Sequence, residues 1–475
     1  MKAIYSILCS LFLTQLVLGQ TLYVSPEYPI RNDRFYEIFA LDNEGILLFR
    51  DRNNSSKIDI LNKELEAVKS VNYQINASKT AIESLNLIDN YLQIIYSYRK
   101  EKQFMVALDL FNPTTYQIDT TILLLEEDYK FVQGNIRSAI SEDGSKTLLF
   151  GTRDGQMKFI VIDNKNYQIQ RVASFDLRTI NVREEFRKVV LTNEGEILLL
   201  FERRNKKFSK DEHGLLFAKS TTTVDFETIE IPLKNTLCNR IKGSYNEQTG
   251  VFYIGGLYAE KTLSDLTGYF VSKIEKDGSN STTFNDFSPE LTKELYGFSA
   301  NRKRTIRDFY ISELLMRQDG GVVLVSEMQK EFIRRASYST MSRYGGSNYA
   351  LRGFVDYYNE DILITSINPF GEEDWYKVLY KKQFSQDDDG AFSSFFLMQT
   401  PSRLRILYND EIKKSNTVSE YLMDPSGKFE RNALLNTEYQ NLQLRFRDAV
   451  QVSKNTLIVP SETNFKLSLV KLKVK

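Results

Sequence analysis

The chain has 475 residues, enough to bury a large core, with 62 basic side chains, 62 acidic ones and a single histidine. This even charge balance argues against a nucleic-acid partner, whose binding needs a concentrated positive field. Aromatic residues make up 12% of the chain, with 27 tyrosines and 31 phenylalanines, and this composition favours strands over helices.

The first predicted element is a secretory signal peptide over residues 1–19. Lys2 is the only charge in MKAIYSILCSLFLTQLVLG, an apolar run follows it, and Val17 and Gly19 suit the positions that precede cleavage. The apolar run is shorter than the ~20 residues that span a bilayer, and no later segment is long and apolar enough to cross one. We therefore expect residues 20–475 to form an exported chain, periplasmic or extracellular, without a membrane-spanning segment.

The rest of the chain repeats one short phrase eight times: an apolar run, a polar turn and a second apolar run, as in KVVLTNEGEILLLFE. Turn residues between two strand-like runs predict a β-hairpin. A more polar phrase of the same kind, such as KIDILNKELEAVKS, follows the first phrase, and two hairpins make a four-stranded antiparallel sheet. The second strands of the eight repeats are expected to begin near Ile46, Tyr91, Thr147, Glu196, Val251, Val322, Arg403 and Thr456.

Repeated four-stranded units are typical of the blades of a β-propeller, which has ~4–8 of them. The last repeat has only three strand-like runs, whereas the N-terminal segment TLYVSPEY offers a spare one. If this segment pairs as the fourth strand of the last blade, the ring is closed and no sheet edge is left open. The sequence thus predicts an all-β fold: one propeller domain of eight four-stranded antiparallel blades, or seven if the weak repeat at residues 85–121 packs elsewhere.

In its repeat pattern the chain resembles the broad group of exported bacterial β-propeller proteins. The segment GVFYIGGLY, with Gly255 and Gly256, is similar to the double-glycine strand of Kelch repeats, but it occurs in one blade only. The Trp-Asp pair that closes the blades of WD40 repeats is absent, since Trp375 follows Asp374 in the reverse order. The resemblance implies the architecture and leaves the activity open.

Catalytic chemistry has little support in the sequence, and no catalytic residue is predicted. His213, the sole histidine, lies in the charged run ERRNKKFSKDEHG and is expected to be a solvated loop residue. Cys238 is the sole cysteine after the leader, and its setting, TLCNRI, offers no histidine partner and favours a buried thiol. One histidine and one cysteine cannot build a usual zinc or iron site, so we expect neither a metal nor another cofactor.

Five long insertions fall where a propeller has its connections from strand two to strand three and from blade to blade: residues 203–214, 257–268, 284–304, 330–353 and 381–390. These two kinds of connection emerge on the same face of the disc. Insertions gathered on one face of a repeat protein commonly build its binding surface.

The expected binding residues are concentrated in the insertion of the sixth blade, where tyrosine and arginine, common in interface hot spots, are interleaved with serine and glycine. The candidates are Arg335, Tyr338, Arg343, Tyr344, Tyr349, Arg352, Trp375, Asp387 and Asp388. Residues 387–389 also invite a calcium interpretation, but three consecutive carboxylates diverge, whereas EF-hand loops space their ligands at alternate residues. A solvated acidic loop is the expectation.

These observations predict a non-catalytic binding or scaffold protein of the bacterial cell envelope or exterior, which recognises a protein or a glycan through loops on one propeller face. The alternative is a carbohydrate-active enzyme with paired carboxylates near the central channel. The 62 acidic residues give many such pairs, and the sequence cannot place two of them within reaction distance.

Overall fold

The strands of the computed structural model form eight antiparallel sheets, the blades of a propeller. The structure describes residues 22–474 apart from 53–54, 102, 129–135, 207–211, 221–224, 235, 298–304, 335–353, 411, 413–416 and 437–440. The prediction of an all-β fold with eight blades is confirmed, and the alternative with seven is wrong: residues 85–121 contribute to a complete second blade.

Two short strands, β1 (Leu22–Val24) and β2 (Tyr28–Pro29), precede the first blade. Each of the next four blades takes four consecutive strands. They are β3 (Asp33–Ala40), β4 (Ile46–Arg52), β5 (Ser56–Leu61) and β6 (Ala67–Tyr73) in blade 1; β7 (Ser78–Ile88), β8 (Tyr91–Lys100), β9 (Gln103–Asn112) and β10 (Gln117–Asp128) in blade 2; β11 (Arg137–Ile140), β12 (Lys146–Arg153), β13 (Gln156–Asp163) and β14 (Ile169–Asp176) in blade 3; and β15 (Phe186–Leu191), β16 (Ile197–Arg203), β17 (Gly214–Ser220) and β18 (Phe226–Pro232) in blade 4.

The last four blades follow the same plan, with additions in blades 6 and 8. Their strands are β19 (Leu237–Asn246), β20 (Val251–Ala259), β21 (Gly268–Ile274) and β22 (Asn280–Asp286) in blade 5; β23 (Phe309–Met316), β24 (Val322–Arg334), β25 (Phe354–Ile367), β26 (Glu373–Leu379) and the added β27 (Gln383–Gln386) in blade 6; β28 (Phe395–Gln399), β29 (Leu404–Asn409), β30 (Thr417–Met423) and β31 (Phe429–Asn436) in blade 7; and β32 (Val450–Ser453), β33 (Thr456–Thr463) and β34 (Lys466–Lys473) in blade 8.

The helices among the described residues are short and lie between strands: α1 (Val182–Glu185), α2 (Pro289–Tyr296) and a single 3-10 turn at Phe446–Asp448. Helix α2 is capped by Ser288, whose side chain accepts a hydrogen bond from the Leu291 N–H, and it ends before Gly297, which has a φ of 70°. Within the described part of the chain, no helix combines the length and the apolar character that crossing a bilayer requires.

The central strands are apolar on both faces because every blade is packed between two others. In β4, Leu47 and Phe49 belong to the cluster shared with blade 2, whereas Ile46 and Leu48 belong to the cluster shared with blade 8. This alternation follows from the two-residue period of a strand. A buried hydrophobic cluster of this kind lies at each of the eight blade-to-blade interfaces.

The first strand of a blade lies nearest the central axis, since the first strands of consecutive blades contact one another, as β15 and β19 do. The connections from strand two to strand three and from strand four to the next blade then emerge together on one face of the disc. This face is named the upper face.

The N-terminal strands complete blade 8 and close the ring, as predicted. β1 pairs with β34, with Leu22 opposite Leu472 and Val24 opposite Val470, and β2 pairs further along the same strand. Tyr28 is buried in the cluster between blades 8 and 1.

Candidate functional site

The upper face carries the connections that the sequence predicts as insertions. Several of them have other bounds than predicted or contain secondary structure. Between β20 and β21, Leu257 is still strand and is buried, so the connection there is limited to residues 260–267. The connection from blade 5 to blade 6 contains α2, and the one from blade 6 to blade 7 contains β27.

The insertion of blade 6 begins as strand rather than as loop. β24 continues to Arg334 and β25 begins at Phe354, and the two remain paired to that point. β27 adds a third strand to this extension by pairing with residues 356–359 of β25. Residues 330–334, 354–359 and 383–386 are named the arm.

One side of the arm carries aromatic rings on each of its three strands. The Phe332 ring on β24 meets the Tyr358 ring on β25 edge-on, with centroids 5.7 Å apart, and Tyr358 in turn contacts Phe384 on β27 at 5.0 Å. Phe332 is 53% exposed and Phe384 is 37% exposed. Side chains alternate along a strand, so Ile333 points to the other side of the arm, where it is 71% exposed.

The acidic loop after the arm is tied to the arm by its own carboxylates. The Val355 N–H donates to Asp387 Oδ1 at 2.8 Å, and the Tyr357 hydroxyl donates to Asp389 Oδ1 at 3.2 Å. Asp388 Oδ1 accepts from the Gly390 N–H at 3.0 Å. Each carboxylate therefore has a donor from the chain itself, and the loop holds the outer part of the arm, near the start of β25.

Of the other predicted binding residues, Trp375 is half-buried on β26 and packs against the cluster between blades 6 and 7. A Cβ atom added at Gly427 would lie 2.8 Å from its ring, so the indole fills the space that this glycine leaves. Arg335, Tyr338, Arg343, Tyr344, Tyr349 and Arg352 lie outside the described residues.

A buried ion pair holds the connection between blades 6 and 7 beneath the arm. Lys381 Nζ lies 2.6 Å from Glu327 Oε1, and both side chains are 0% exposed. The ammonium group also donates to the Asn359 carbonyl oxygen at 3.0 Å and to Gln383 Oε1 at 2.7 Å. Ser394 donates to the other carboxylate oxygen of Glu327 at 2.8 Å. The network joins β24, β25 and β27, and thereby fixes the strand that carries Phe384.

The structure also brings the sole histidine and Cys238 together. His213 is 5% exposed and directly precedes β17, so the expectation of a solvated residue is wrong. Cys238 is free and buried, as expected. It nevertheless has a histidine neighbour, since it lies beside His213 and Glu202. One donor atom from each of these three buried residues lies within 4.8 Å of the other two. Burial and, second, the Glu202 charge raise the pKa of the Cys238 thiol well above its ordinary value.

The three side chains come from the upper ends of blades 4 and 5 and are held by their neighbours. Arg187 donates to Glu202 Oε2 at 2.7 Å. Asn205 donates to Glu202 Oε1 at 2.9 Å and to the Cys238 carbonyl oxygen at 2.7 Å, and it accepts from the Cys238 N–H at 3.1 Å. Glu202, Arg187 and Asn205 also line a cavity of about 430 Å³, together with Glu184, Glu185, Arg204 and Lys206.

A second cavity, of about 570 Å³, lies between the first strands of blades 1 and 8 and carries several carboxyl groups. Arg445 binds both Glu462 and Asp448, and the Tyr36 hydroxyl donates to Glu462 Oε1 at 2.6 Å. Glu37 lines the same cavity; it is an exposed residue of β3, but the surrounding walls partly desolvate its carboxyl group and raise its pKa to about 7. Glu37, Asp448 and Glu462 thus lie along one cavity near the axis.

No protein-family model matches the sequence. A search of curated proteins gives no match either. Among solved structures, the chain is similar to the propeller of Dos1, with 9% identity, a TM-score of 0.45 and coverage of 94% of this chain and 95% of that one. It is also similar to the polysaccharide lyase Uly1, with 10% identity, a TM-score of 0.37 and coverage of 85% and 92%. An oligogalacturonate lyase in complex with manganese gives 10% identity, a TM-score of 0.39 and coverage of 84% and 99%. At these identities the similarity concerns the propeller architecture alone.

Proposed function

We propose that the chain is a non-catalytic binding protein that takes a protein partner on its upper face, through the arm of blade 6. The observation that carries this proposal is a row of three contacting aromatic rings, in which the half-buried Tyr358 lies between the exposed Phe332 and Phe384. The arm lies beyond the interfaces between blades, so these rings add nothing to the buried clusters that hold the ring of blades together.

The physical properties of the arm suit recognition. Aromatic side chains supply large contact area at a low cost in conformational entropy, and they are enriched in interface hot spots. Pairing across three strands fixes the backbone beneath the rings before a partner arrives, which reduces the ordering cost of binding. The buried pair of Lys381 and Glu327 adds to this rigidity.

A protein is favoured over a glycan because each side of the arm exposes at least one large apolar side chain. Glycan sites combine aromatic rings with many polar groups, whereas Ile333 presents an aliphatic side chain, 71% exposed, on the side opposite the rings. Together with the predicted signal peptide, this supports a binding or scaffold role outside the cytoplasm, in the periplasm or at the cell exterior.

The test replaces Phe332 and Phe384 together by alanine. Truncation of a central hot-spot side chain costs ~2 kcal/mol or more, so the pair should weaken binding on the order of a thousandfold. Phe370 is the matched control: it is 82% exposed but lies in the β25–β26 turn, on the opposite face. Phe370→Ala should bind like the wild type, and circular dichroism should show that all variants are folded.

The partner is found by placing a photoreactive phenylalanine analogue at position 332, 384 or 370 in the protein expressed in its own host. We expect the same protein to be cross-linked from positions 332 and 384 and not from position 370. Equal cross-linking from all three positions would contradict the proposed face. Binding to a glycan array that depends on Phe332 and Phe384, without a protein adduct, would keep the face and contradict the protein partner.

The alternative, a carbohydrate-active enzyme, is favoured by one observation, the Glu37 carboxyl group in the cavity near the axis. A group that is protonated close to neutral pH can act as a general acid. Degradation of an acidic or neutral polysaccharide by the wild type, abolished in Glu37→Gln, would support this alternative. If the arm variants lost that activity while Glu37→Gln kept it, the result would not support this alternative.

A further inference from the structure

Glu202, His213 and Cys238 come from three neighbouring strand ends: Glu202 is the penultimate residue of β16, His213 directly precedes β17, and Cys238 is the second residue of β19, the innermost strand of the next blade. All three side chains are buried, and one donor atom from each lies within 4.8 Å of the other two. Carboxylate oxygen, imidazole nitrogen and thiolate sulfur are the three kinds of protein ligand that zinc takes.

We propose that Glu202, His213 and Cys238 bind one divalent metal ion of the zinc type. The proposal is independent of the binding function of the arm. Three protein ligands leave a fourth position of a tetrahedral site open, which is the arrangement found in zinc sites that bind water or a substrate rather than in closed structural sites. The thiolate and imidazole select zinc over magnesium or calcium, which prefer oxygen ligands.

The hydrogen bonds of His213 support a cation at this point. Nδ1 lies 2.7 Å from the Thr236 carbonyl oxygen, which can only accept, so Nδ1 carries a proton and donates. In the neutral ring Nε2 then carries a lone pair, and this lone pair faces Glu202 Oε1 at 3.2 Å. Two acceptors at this distance need either a shared proton or a metal ion between them.

A shared proton would satisfy the histidine and Glu202 without involving Cys238, whose thiol has the Thr236 side chain as its hydrogen-bond partner. Arg187 already supplies one positive charge to Glu202, at Oε2. A metal ion uses all three side chains at once: Oε1 and the Nε2 lone pair coordinate it, and the Cys238 sulfur coordinates it after its proton has left to solvent.

The neighbours of the cluster have the form of an outer coordination shell. The Thr236 carbonyl fixes the tautomer of His213, and Arg187 with Asn205 fixes the orientation of the Glu202 carboxylate. Partners of this kind orient metal ligands, and their loss typically lowers metal affinity about 10–100-fold. Glu202, Arg187 and Asn205 also line the cavity of about 430 Å³, so the carboxylate end of the cluster adjoins it.

Zinc binding is measured on the full chain carrying Cys9→Ser, without a histidine tag, so that His213 and Cys238 are the only histidine and thiol. After dialysis against a chelator and a reductant, Zn²⁺ is titrated in competition with a chromophoric chelator. We expect one zinc per chain. Cys238→Ser, His213→Gln and Glu202→Gln should each lower the affinity at least about 100-fold, more than the loss of an outer-shell partner.

The matched control is Glu196→Gln, which changes a glutamate of the same blade at the opposite, lower face, where it pairs with Lys219. Its zinc affinity should equal that of the parent chain. Circular dichroism and melting curves without zinc establish that each variant is folded, and Glu202→Gln, which keeps the shape of the side chain, tests the site if another variant fails to fold.

Two spectra distinguish a metal from a proton. Cobalt(II) should give a thiolate-to-metal charge-transfer band that is absent in Cys238→Ser. In long-range ¹H–¹⁵N spectra, where His213 gives the only histidine signals, zinc should shift the Nε2 resonance while Nδ1 keeps its proton. A chain that retains no zinc against the chelator would overturn the proposal, and the cluster would then be a buried pair of imidazole and carboxyl groups beside a thiol.

Discussion

At the scale of single residues, Glu37 is expected to couple stability to pH. Partial desolvation in the cavity near the axis raises its pKa to about 7, above the value of about 4.3 in an unfolded chain. The unfolded state therefore loses this proton first as the pH rises. The contribution of Glu37 to stability is fully present below the unfolded value and is lost as the pH rises through about 7.

Glu37→Gln cannot ionise and should lack this loss. We expect its melting temperature to match that of the wild type near about pH 4 and to exceed it near about pH 8, by a few degrees at most, because the carboxyl group keeps contact with solvent. Melting curves across this range measure the difference. Glu430→Gln, at an exposed position on β31, is the control and should run parallel to the wild type. A Glu37→Gln curve parallel to that of the wild type would rule out the effect.

The cluster of Glu202, His213 and Cys238 shows what the sequence could not give at this scale. The buried thiol could be predicted from the apolar character of cysteine and its neighbours. The burial of His213 could not, because it follows a charged run and its own position is set by the start of β17 and by the Thr236 carbonyl of the next blade. The expectation of no metal site considered histidine and cysteine as ligands and did not consider Glu202. The burial of Glu202 on β16 depends on the packing of the blades, which the sequence does not show.

At the scale of elements, the pair of Lys381 and Glu327 should hold the blade 6–7 connection in place. Lys381→Met removes the cation and leaves a buried carboxylate that the remaining hydrogen bonds do not neutralise, which typically costs about 3–5 kcal/mol. We expect a loss of stability of this size in urea denaturation. The network also fixes β27, so partner binding through Phe384 should weaken in the same variant.

The double variant Lys381→Met with Glu327→Gln is the control for charge. It removes both charges but keeps an acceptor for the Asn359 and Ser394 donors, which lie 3.0 and 2.8 Å from Glu327 Oε2. Its loss of stability should be smaller than that of Lys381→Met alone. A double variant no more stable than the single one would show that an unpaired Glu327 charge is not what destabilises Lys381→Met.

The arm is the element that sequence patterning described least well. The segment after Glu331 lacks the apolar–turn–apolar phrase of the other hairpins, so it was expected to leave the sheet as a loop at residue 330. Pairing continues there because β27, which comes more than twenty residues after the β25 strand begins, adds hydrogen bonds from the far side. A long-range partner of this kind leaves no local signal, and neither do the contacts between Phe332, Tyr358 and Phe384 that it creates.

At the scale of the whole molecule, the architecture could be predicted because each blade repeats one physical requirement. A strand buried between two blades must be apolar on both faces. The resulting apolar runs, such as residues 46–49 and 197–201, mark the second strand of a blade. The second strands begin within one residue of the expected positions, for example at Ile46, Val251 and Thr456. The number of blades then follows from counting.

Closure of the ring depends on the N-terminal segment, which contacts both blades that it joins. The Ser25 N–H donates to the Leu469 carbonyl oxygen at 2.9 Å, and the Ser25 hydroxyl accepts from the Leu469 N–H at 2.8 Å. On the side of blade 1, the guanidinium of Arg50 lies 4.8 Å from the centre of the Tyr28 ring and donates to the Pro29 carbonyl oxygen at 3.3 Å. The segment therefore stabilises blade 8 and its interface with blade 1 together.

A chain that begins at Arg31 should lose this closure, and we compare it with a chain that begins at Gln20. The shorter chain exposes the edge of β34 and uncovers the apolar surface that Tyr28 buries, so its melting temperature should fall by several degrees and the open edge should promote self-association.

A synthetic peptide of residues 20–32 supplied in excess should restore the melting temperature by pairing with that edge. A peptide with Tyr28→Ala should restore it less, because that variant loses the buried ring and its contact with Arg50. Melting curves and the oligomeric state measured by light scattering provide the readout. Two chains that melt together as monomers would show that the eight blades close without the N-terminal strand.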